Sequence, residues 1–197
     1  MLLEAIERKP AEAAALSAQA RHEVEQMNEL LNDVLFLSEL ESGREVVSLG
    51  STAAAHVLEE VLRELSERAD LAGVSLRVEG DRELELPLRP RMLAVIGRNL
   101  LTNAIRYAGE GATCTLSVVK APSGDLELVV VDNGAGVRAQ HLPRLFERFY
   151  RADRARTSRG TGLGLAIVKH VVVSAGGSVG ASSVLGDGLT VRCTFPG

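Results

Sequence analysis

The sequence has no tryptophan, and aromatic residues make up only 3% of its 197 residues. Apolar residues nevertheless account for 46% of the chain. A folded core must therefore be built mainly from Leu, Val, Ile and Ala side chains. The length fits a single domain, or one domain with a helical appendage.

Cysteine is also scarce, and long apolar runs are missing. Cys114 and Cys193 have neither the spacing of a metal site nor that of a redox motif, and two isolated cysteines are typical of a reducing compartment. No apolar run approaches the length of a membrane span, and the first residues, Met1 to Glu4, do not resemble a signal peptide. We therefore expect a soluble chain, one that begins within a helix as part of a longer protein.

Basic charge is not in excess. The net charge of −4 argues against nucleic acid as a partner bound through overall basicity. Between residues 138 and 159, however, arginines far outnumber the two acidic residues, and Phe146, Phe149 and Tyr150 lie among them. These arginines are Arg138, Arg144, Arg148, Arg151, Arg154, Arg156 and Arg159. The segment fits a positive lid over a polyphosphate better than a solvated run of charge.

Helical periodicity dominates the start of the chain. From Ala11 to Glu41 the sequence is rich in Ala, Leu and Glu, and its apolar residues follow heptad spacing. Pro10 either ends a preceding helix or lies in the first turn of this one. The apolar stripe comprises Val24, Met27, Leu30, Leu31, Val34, Leu35 and Leu37. Its length favours a helical hairpin that dimerises into a bundle over one long helix that packs on its own domain. We expect residues 1–48 to form this segment and residues 49–197 to form a separate domain.

From residue 52 onwards, predicted strands come in neighbouring pairs, with single helices between them. Helices are predicted over 52–72, 91–108 and 161–175, with a short one near 141–146. The predicted strand pairs are 74–79 with 83–88, 112–120 with 126–132, and 178–184 with 189–195. This order indicates an α+β fold: a two-layer α/β sandwich with a mixed or antiparallel sheet and helices on one face.

A glycine-rich turn, Gly160 to Gly164, runs directly into an apolar helix. Its alternating glycines let the backbone approach a bulky group closely. The free N–H groups at the start of the helix form an anion site. The turn is thus a candidate phosphate site, although an ordinary turn is the alternative.

Two further groups of polar residues precede this turn. Asn99 and Asn103 lie four residues apart on a predicted helix, with Arg106 on the same side. Amide oxygens suit Mg²⁺ that is shared with substrate phosphates; surface or capping amides are the alternative. Asp132 ends an apolar run and precedes the glycines of residues 133–136. It predicts either an acceptor for a purine amino group or a strand-ending turn.

These motifs resemble those of a known family. Residues 99–107, 132–137, 142–151 and 160–170 resemble, in this order, the N, G1, F and G2 boxes of bacterial sensor histidine kinases. Upstream, residues 28–43 are similar to the end of the second dimerisation helix of that family. The resemblance therefore covers nearly the whole chain.

The resemblance implies a Bergerat-type ATP-binding domain over residues 49–197. In it, Asn103, helped by Asn99, would hold Mg²⁺, and Asp132 would bind the adenine amino group. The other residues that the resemblance assigns to ATP binding are Arg106 and Tyr107, Gly134 and Gly136, Phe146, Phe149 and Arg151 of the lid, and Gly160, Thr161, Gly162, Leu163 and Gly164.

The resemblance also implies an activity. A protein-histidine kinase would transfer the γ-phosphoryl group of ATP to a histidine on its dimerisation domain, for relay to an aspartate in the receiver domain of a response regulator. The full-length protein would be a homodimer through its N-terminal helices. This part would be cytoplasmic, and the parent would lie in the inner membrane.

The sequence departs from the family pattern at the phosphoacceptor box and at the start of the N-box helix, whereas Asn99 separates it from related ATPases. The phosphoacceptor box is missing, because His22-Glu23 lacks the Thr-Pro pair that follows in the family. Arg89-Pro90 stands where an Asp usually opens the N-box helix, which predicts a weaker cap. Asn99 stands where related ATPases carry a Glu that activates water. This change disfavours hydrolysis. Two functions remain as alternatives to a kinase: a nucleotide-regulated interaction module and an ATPase of the same fold.

Overall fold

The computed structural model describes residues 2–42, 50–152 and 160–197, with side chains omitted for residues 2–13, 15, 22, 25 and 26. The helices are α1 (Leu2–Glu41), α2 (Ala54–Ala72), α3 (Pro90–Tyr107) and α4 (Gly164–Ser174), with a 3₁₀ helix over Ala139–Arg144. The strands are β1 (Thr52–Ala53), β2 (Ser75–Gly80), β3 (Glu85–Leu86), β4 (Thr113–Lys120), β5 (Leu126–Asp132), β6 (Ser178–Val184) and β7 (Gly188–Phe195).

A five-stranded mixed sheet forms one layer, in the order β2-β4-β5-β7-β6. Only the β2–β4 pair of this sheet is parallel. Alternate residues of β4, namely Cys114, Leu116 and Val118, are buried in one apolar core together with residues of α2, α3 and α4. The prediction of an α+β sandwich with a mixed sheet is confirmed, and so are the β4–β5 and β6–β7 hairpins.

The predicted hairpin of residues 74–79 with 83–88 is wrong. Strand β2 pairs in parallel with β4, across the α3 crossover. Strand β3 instead pairs with β1 in a separate two-stranded sheet. Alternation of apolar residues predicts a strand but not its partner, and parallel pairing requires a long crossover that a local turn cannot reveal.

The predicted stop or restart at Pro10 is also wrong, because α1 is one helix from Leu2 to Glu41. This helix is one arm of the predicted helical hairpin, and its pairing in a dimer stays a prediction. A proline inside a helix removes one backbone hydrogen bond. The Ala- and Glu-rich turns on both sides favour helix strongly enough to continue through it. Leu37 and Leu40 at the end of α1 are buried in the core, whereas the preceding stripe from Val24 to Leu35 is exposed.

Two predicted helices begin later than expected. Helix α2 begins at Ala54, because Thr52 and Ala53 form β1 and the Thr52 hydroxyl donates to the carbonyl of Leu88 at 2.5 Å. Helix α4 begins at Gly164, because Gly162 has φ +72°, which a right-handed helix does not allow. Residues 43–49, which include the predicted boundary between residues 48 and 49, lie outside the described residues.

Within the described ranges, no helix combines the length and the apolar composition that a membrane crossing requires.

Both cysteines are free thiols in the core, and burial raises the pKa of Cys114 and of Cys193 to about 12. Because the thiolate is the reactive form, we expect a thiol-specific reagent to label neither cysteine in the native chain. Both should react in denaturant. The labelling rate should follow the global unfolding equilibrium in a urea series. Fast labelling of either thiol without urea would contradict this placement.

Candidate functional site

Helix α3 carries the polar side chains at the centre of the candidate site. Its N-cap, Arg89, makes no side-chain capping bond, and Pro90 occupies the first turn, where a missing N–H costs nothing. The helix is held instead by its buried face, which includes Leu93, Ile96, Leu100, Leu101 and Ala104. Asn99, Asn103 and Arg106 follow the neighbouring stripe and are each partly exposed. The weaker cap predicted from the sequence is therefore compensated by packing.

Asn99 contacts the glycine-rich turn directly. Its Nδ2 donates to the carbonyl of Val95 at 2.8 Å, which fixes the amide. Its Oδ1 then faces the start of α4, since a Cβ placed on Gly164 would lie only 2.7 Å from it. A side chain at position 164 would therefore displace the Asn99 amide. Asn103 lies one helical turn further along α3 and is half-buried.

Asp132 is the acidic residue of the site, and it is only 7% exposed at the end of β5. Its Oδ1 accepts hydrogen bonds from the backbone N–H groups of Gly134, at 3.0 Å, and of Leu189, at 3.4 Å. Burial raises the pKa of this carboxyl, and the two backbone hydrogen bonds only partly oppose that shift. Both of these hydrogen bonds go to Oδ1, so Oδ2 can accept one from a ligand.

The turn after Asp132 packs on the end of α3. The N–H of Ala135 donates to the carbonyl of Ala108 at 3.0 Å, and a Cβ on Gly134 would collide with the Ala108 backbone. Gly136 has φ +66°, and a Cβ there would collide with the carbonyl of Val184. Both glycines are thus needed for close backbone approach, which joins the 132–136 turn to the helix that carries the asparagines.

The β6–β7 turn supports Asp132 from behind and offers a matched pair of substitutions. Gly186 (φ +92°) and Gly188 (φ +96°) share the same backbone strain, but a Cβ on Gly188 would collide with the Asp132 carbonyl, whereas Gly186 faces open space. We expect Gly186→Ala to lower the free energy of unfolding by about 1 kcal/mol. Gly188→Ala should lower it by about 1–2 kcal/mol more, and urea unfolding measures both changes. Equal losses of unfolding free energy in the two variants would show that the contact with Asp132 does not restrict the residue at position 188.

The raised pKa of Asp132 predicts a pH dependence of stability. A buried carboxyl with a raised folded-state pKa contributes its full stability below the unfolded-state pKa and loses it as the pH rises through the folded-state pKa. We therefore expect Asp132→Asn to gain unfolding free energy relative to the wild type between about pH 4 and pH 7. Urea unfolding across this range measures the difference. A difference that does not change with pH, or changes in the opposite sense, would contradict the assignment.

The glycine-rich turn also contacts α3 and the aromatic residues before it. The carbonyl of Gly162 accepts a hydrogen bond from the N–H of Phe149 at 2.9 Å. A Cβ on Gly160 would lie 3.2 Å from the Tyr107 hydroxyl and 3.4 Å from Nη1 of Arg106. Leu163 is fully buried and anchors the turn in the core. The turn is thereby held between α3 and the segment around Phe149.

Phe149 is the one non-glycine residue with positive φ, at +60°, among those described, and its side chain is 60% exposed. Phe146 packs against the core instead. A strained backbone that holds a large apolar side chain in solvent is typical of a functional position. Arg151 is half-buried. The rest of the predicted lid, residues 153–159, lies outside the described residues and includes Arg154, Arg156 and Arg159.

Part of the positive charge predicted between 138 and 159 is paired. Arg144 bonds Glu147 at 2.9 Å and lies 4.2 Å from the ring centre of Tyr150. The hydroxyl of Tyr150 lies 2.6 Å from Nδ1 of His141. Arg148 pairs with Glu41 at the end of α1. Arg144 and Tyr150 therefore stiffen the beginning of this segment, and Arg148 ties it to α1.

Two carboxylates of α1 contact the site, and sequence reasoning missed both. Nη2 of Arg106 donates to Oε2 of Glu29 at 2.9 Å. The Thr161 hydroxyl donates to Oδ2 of Asp33 at 2.8 Å. Their spacing of four residues places both on one face of a helix, but nothing in the sequence indicates what that face contacts.

Several of the predicted site residues therefore come together around α3, whereas no described contact joins the side chains of Asn103 or Phe146 to them. Gly164 contacts Asn99, Gly160 approaches Arg106 and Tyr107, and the turn after Asp132 packs on Ala108. Phe149 joins the same group through Gly162. Helix α3 and the two turns that it contacts therefore carry a guanidinium, two amides and a buried carboxylate. Chemically, this set can bind an anion at one end and an amino group at the other.

The chain is similar to known proteins. Residues 89–197 match the family described as histidine kinase-, DNA gyrase B- and HSP90-like ATPases. Sensor histidine kinase WalK of Bacillus subtilis (strain 168) is 31% identical over 179 residues, which are 89% of this chain and 29% of WalK. Sensor histidine kinase CusS of Escherichia coli (strain K12) is 37% identical over 165 residues, 82% of this chain and 34% of CusS. The chain thus spans about a third or less of these relatives.

The fold also matches solved structures. Full-length ShkA in complex with AMPPNP superposes with a TM-score of 0.71 at 28% sequence identity, covering 85% of this chain and 35% of that chain. A mycobacterial sensor histidine kinase, MprB, superposes with a TM-score of 0.67 at 27% identity, covering 75% of this chain and 98% of that one.

Proposed function

Because the chain belongs to the family of histidine kinase-, DNA gyrase B- and HSP90-like ATPases, we propose that it binds Mg·ATP between α3, the turn after β5 and the glycine-rich turn. The observation that carries this proposal is the contact of one helix with both turns. Gly164 lies against Asn99, and Ala135 bonds to Ala108 at the other end of the same segment. The complex of ShkA with AMPPNP supports the same class of ligand.

At the base end of the site, we assign the adenine amino group to Asp132. Its Oδ1 is taken by two backbone donors, so Oδ2 accepts from the base. We assign Gly134 and Gly136 to the same end of the site, because their close packing on the backbone of Ala108 and Val184 sets the shape of the turn after Asp132. Tyr107, which is 43% exposed, flanks the nucleotide.

At the phosphate end, the glycine-rich turn and the start of α4 supply backbone N–H groups. Arg106 supplies a guanidinium, which binds phosphate oxygens through two donors. Asn103 and Asn99 supply the hard oxygen donors that Mg²⁺ prefers, and a bound Mg²⁺ would neutralise charge on the phosphates. The remaining lining comes from Gly160, Thr161, Gly162, Leu163 and Gly164, and from Phe146, Phe149 and Arg151 of the lid.

We propose that the reaction is phosphoryl transfer to a histidine on a dimerisation domain, followed by relay to a response regulator receiver domain. Such transfer needs positioning and charge neutralisation more than covalent catalysis, and the side chains at the site supply both. Asn99 contains no base that could activate water, and its Nδ2 is bonded to Val95. Transfer is therefore favoured over hydrolysis.

The division of the chain is part of the same proposal. Residues 1–48 belong to the dimerisation segment, and residues 49–197 form the catalytic domain. Along α1, Val24, Met27 and Leu31 are each more than half exposed. A stripe of this kind is buried when two helices of a homodimer pack together, as we propose for the full-length protein. We propose a cytoplasmic location for this part, in a parent held in the inner membrane.

Incubation of the chain with γ-labelled ATP tests the proposal. A histidine-bearing dimerisation domain of a related kinase is added as acceptor. Acid-labile label on that domain is the expected result. Steady release of free phosphate without transfer would instead indicate an ATPase, and ATP binding without either product would indicate an interaction module. Absence of ATP binding at millimolar nucleotide would overturn the assignment of the site.

A further inference from the structure

Helix α1 touches the phosphate end of the site through two acidic side chains. Glu29 and Asp33 lie one helical turn apart, and their carboxylates reach Arg106 at 2.9 Å and the Thr161 hydroxyl at 2.8 Å. Arg106 and Thr161 come from segments far apart in the sequence. Both residues line the proposed nucleotide site, so α1 contacts two separate segments of that site.

The contacts use the chemistry that a nucleotide phosphate would use. A carboxylate oxygen accepts from a guanidinium and from a hydroxyl in the same way as a phosphate oxygen does. Glu29 also lies 3.9 Å from Arg68 of α2, so it joins two cations. The side chain of Arg106 is only 23% exposed in this arrangement.

The two carboxylates are also unfavourable neighbours of one another. Burial raises the pKa of Asp33, and the negative charge of Glu29 raises it further, while Thr161 and Arg106 oppose the shift. A triphosphate in the same place would add negative charge to a region that already holds two carboxylates. Arg106 cannot neutralise both carboxylates and a triphosphate at the same time.

We propose that Glu29 and Asp33 act as a latch that competes with the phosphates of a nucleoside triphosphate for Arg106 and the glycine-rich turn. The proposal rests on the nucleotide site assigned above. When α1 is docked, nucleotide binding is weakened, and when nucleotide is bound, the contacts of residues 29 and 33 are released. The coupling is reciprocal by thermodynamic necessity.

The C-terminal end of α1 provides the fixed point about which such a latch can move. Leu37 and Leu40 are buried in the core, and Arg91 lies 5.7 Å from the ring centre of Phe36. These contacts hold the end of the helix on the domain whether or not the turn at residues 29–33 is engaged. A displacement of the part of α1 that precedes these contacts would therefore change nucleotide affinity, while the end of the helix stays packed on the core.

The test compares ATP dissociation constants of the full chain by calorimetry. The double variant Glu29→Gln with Asp33→Asn removes both charges and keeps the size of both side chains. The control double variant, Glu23→Gln with Glu39→Gln, changes the net charge by the same amount at exposed positions of the same helix. We expect the latch variant to bind ATP about threefold to tenfold more tightly than the wild type, and the control variant to stay within about twofold.

Equal affinities of the latch variant and the wild type would overturn the latch. Asp132→Asn, introduced into each background, separates this failure from that of the site itself. If Asp132→Asn weakens ATP binding in both while the latch variant has no effect, only the latch is wrong. If no variant binds ATP, both proposals fail. Hydrogen exchange gives the reciprocal measurement, since ATP should increase exchange around residues 29–33 in the wild type but not in the latch variant.

Discussion

An Asn103→Ala chain is expected to phosphorylate an added histidine-bearing dimerisation domain about 100-fold more slowly than the wild type. The amide oxygen of Asn103 is the proposed Mg²⁺ ligand on α3, one turn from Asn99 and near Arg106. Its loss leaves the phosphates with less charge neutralisation and a less defined position, and both effects slow transfer. Initial rates with γ-labelled ATP, measured over a series of Mg²⁺ concentrations, check this expectation.

Arg98→Gln is the control on the same helix. Arg98 pairs with Glu64 at 2.7 Å on the exposed side, away from the site, and surface pairs of this kind contribute at most about 1 kcal/mol. Its transfer rate should stay within about twofold of the wild type. Asn103→Asp keeps an oxygen ligand, so raised Mg²⁺ should restore part of its activity but none of that of Asn103→Ala. A rate for Asn103→Ala close to wild type would remove Asn103 from the site.

The second large effect is expected at the other end of the site. Asp132→Asn should weaken ATP binding about tenfold to 100-fold, because hydrogen bonds to charged groups contribute roughly 1.5–3 kcal/mol. The amide can still accept from Gly134 and Leu189, so the turn should keep its structure. It would then direct an N–H group, in place of an acceptor, at the adenine amino group. Calorimetry with ATP measures the loss.

Nucleotide preference makes this test specific. Guanine presents a carbonyl oxygen where adenine presents an amino group, so Asp132→Asn should bind GTP relatively better than the wild type does. Glu127→Gln is the matched control, because Glu127 lies on the same strand but pairs with Arg192 on the sheet surface. Unchanged ATP affinity and unchanged ATP-over-GTP preference in Asp132→Asn would place the adenine elsewhere.

Much of the fold follows from local sequence signals. The β4–β5 and β6–β7 hairpins were predicted because glycine-containing turns join neighbouring strands, so the strand partner is the next one along the chain. The α3 stripe was predicted because its apolar residues recur with helical period. Strand β2 was misassigned, since its partner β4 lies beyond a whole helix. Helix α4 was predicted to begin early because periodicity does not report the positive φ of Gly162.

By itself, the sequence determined which chemical groups make up the candidate site: two amides a helical turn apart, a carboxylate at the end of an apolar strand, and glycines before a helix. Each of these depends on neighbours within a few residues, so spacing is enough to predict them. Only the tertiary structure decided how they are held. Glu29 reaches Arg106 across 77 residues and Asp33 reaches Thr161 across 128, and contacts over such separations depend on how α1 docks. Docking is set by the packing of Leu37 and Leu40, a property of the folded core that no local pattern contains.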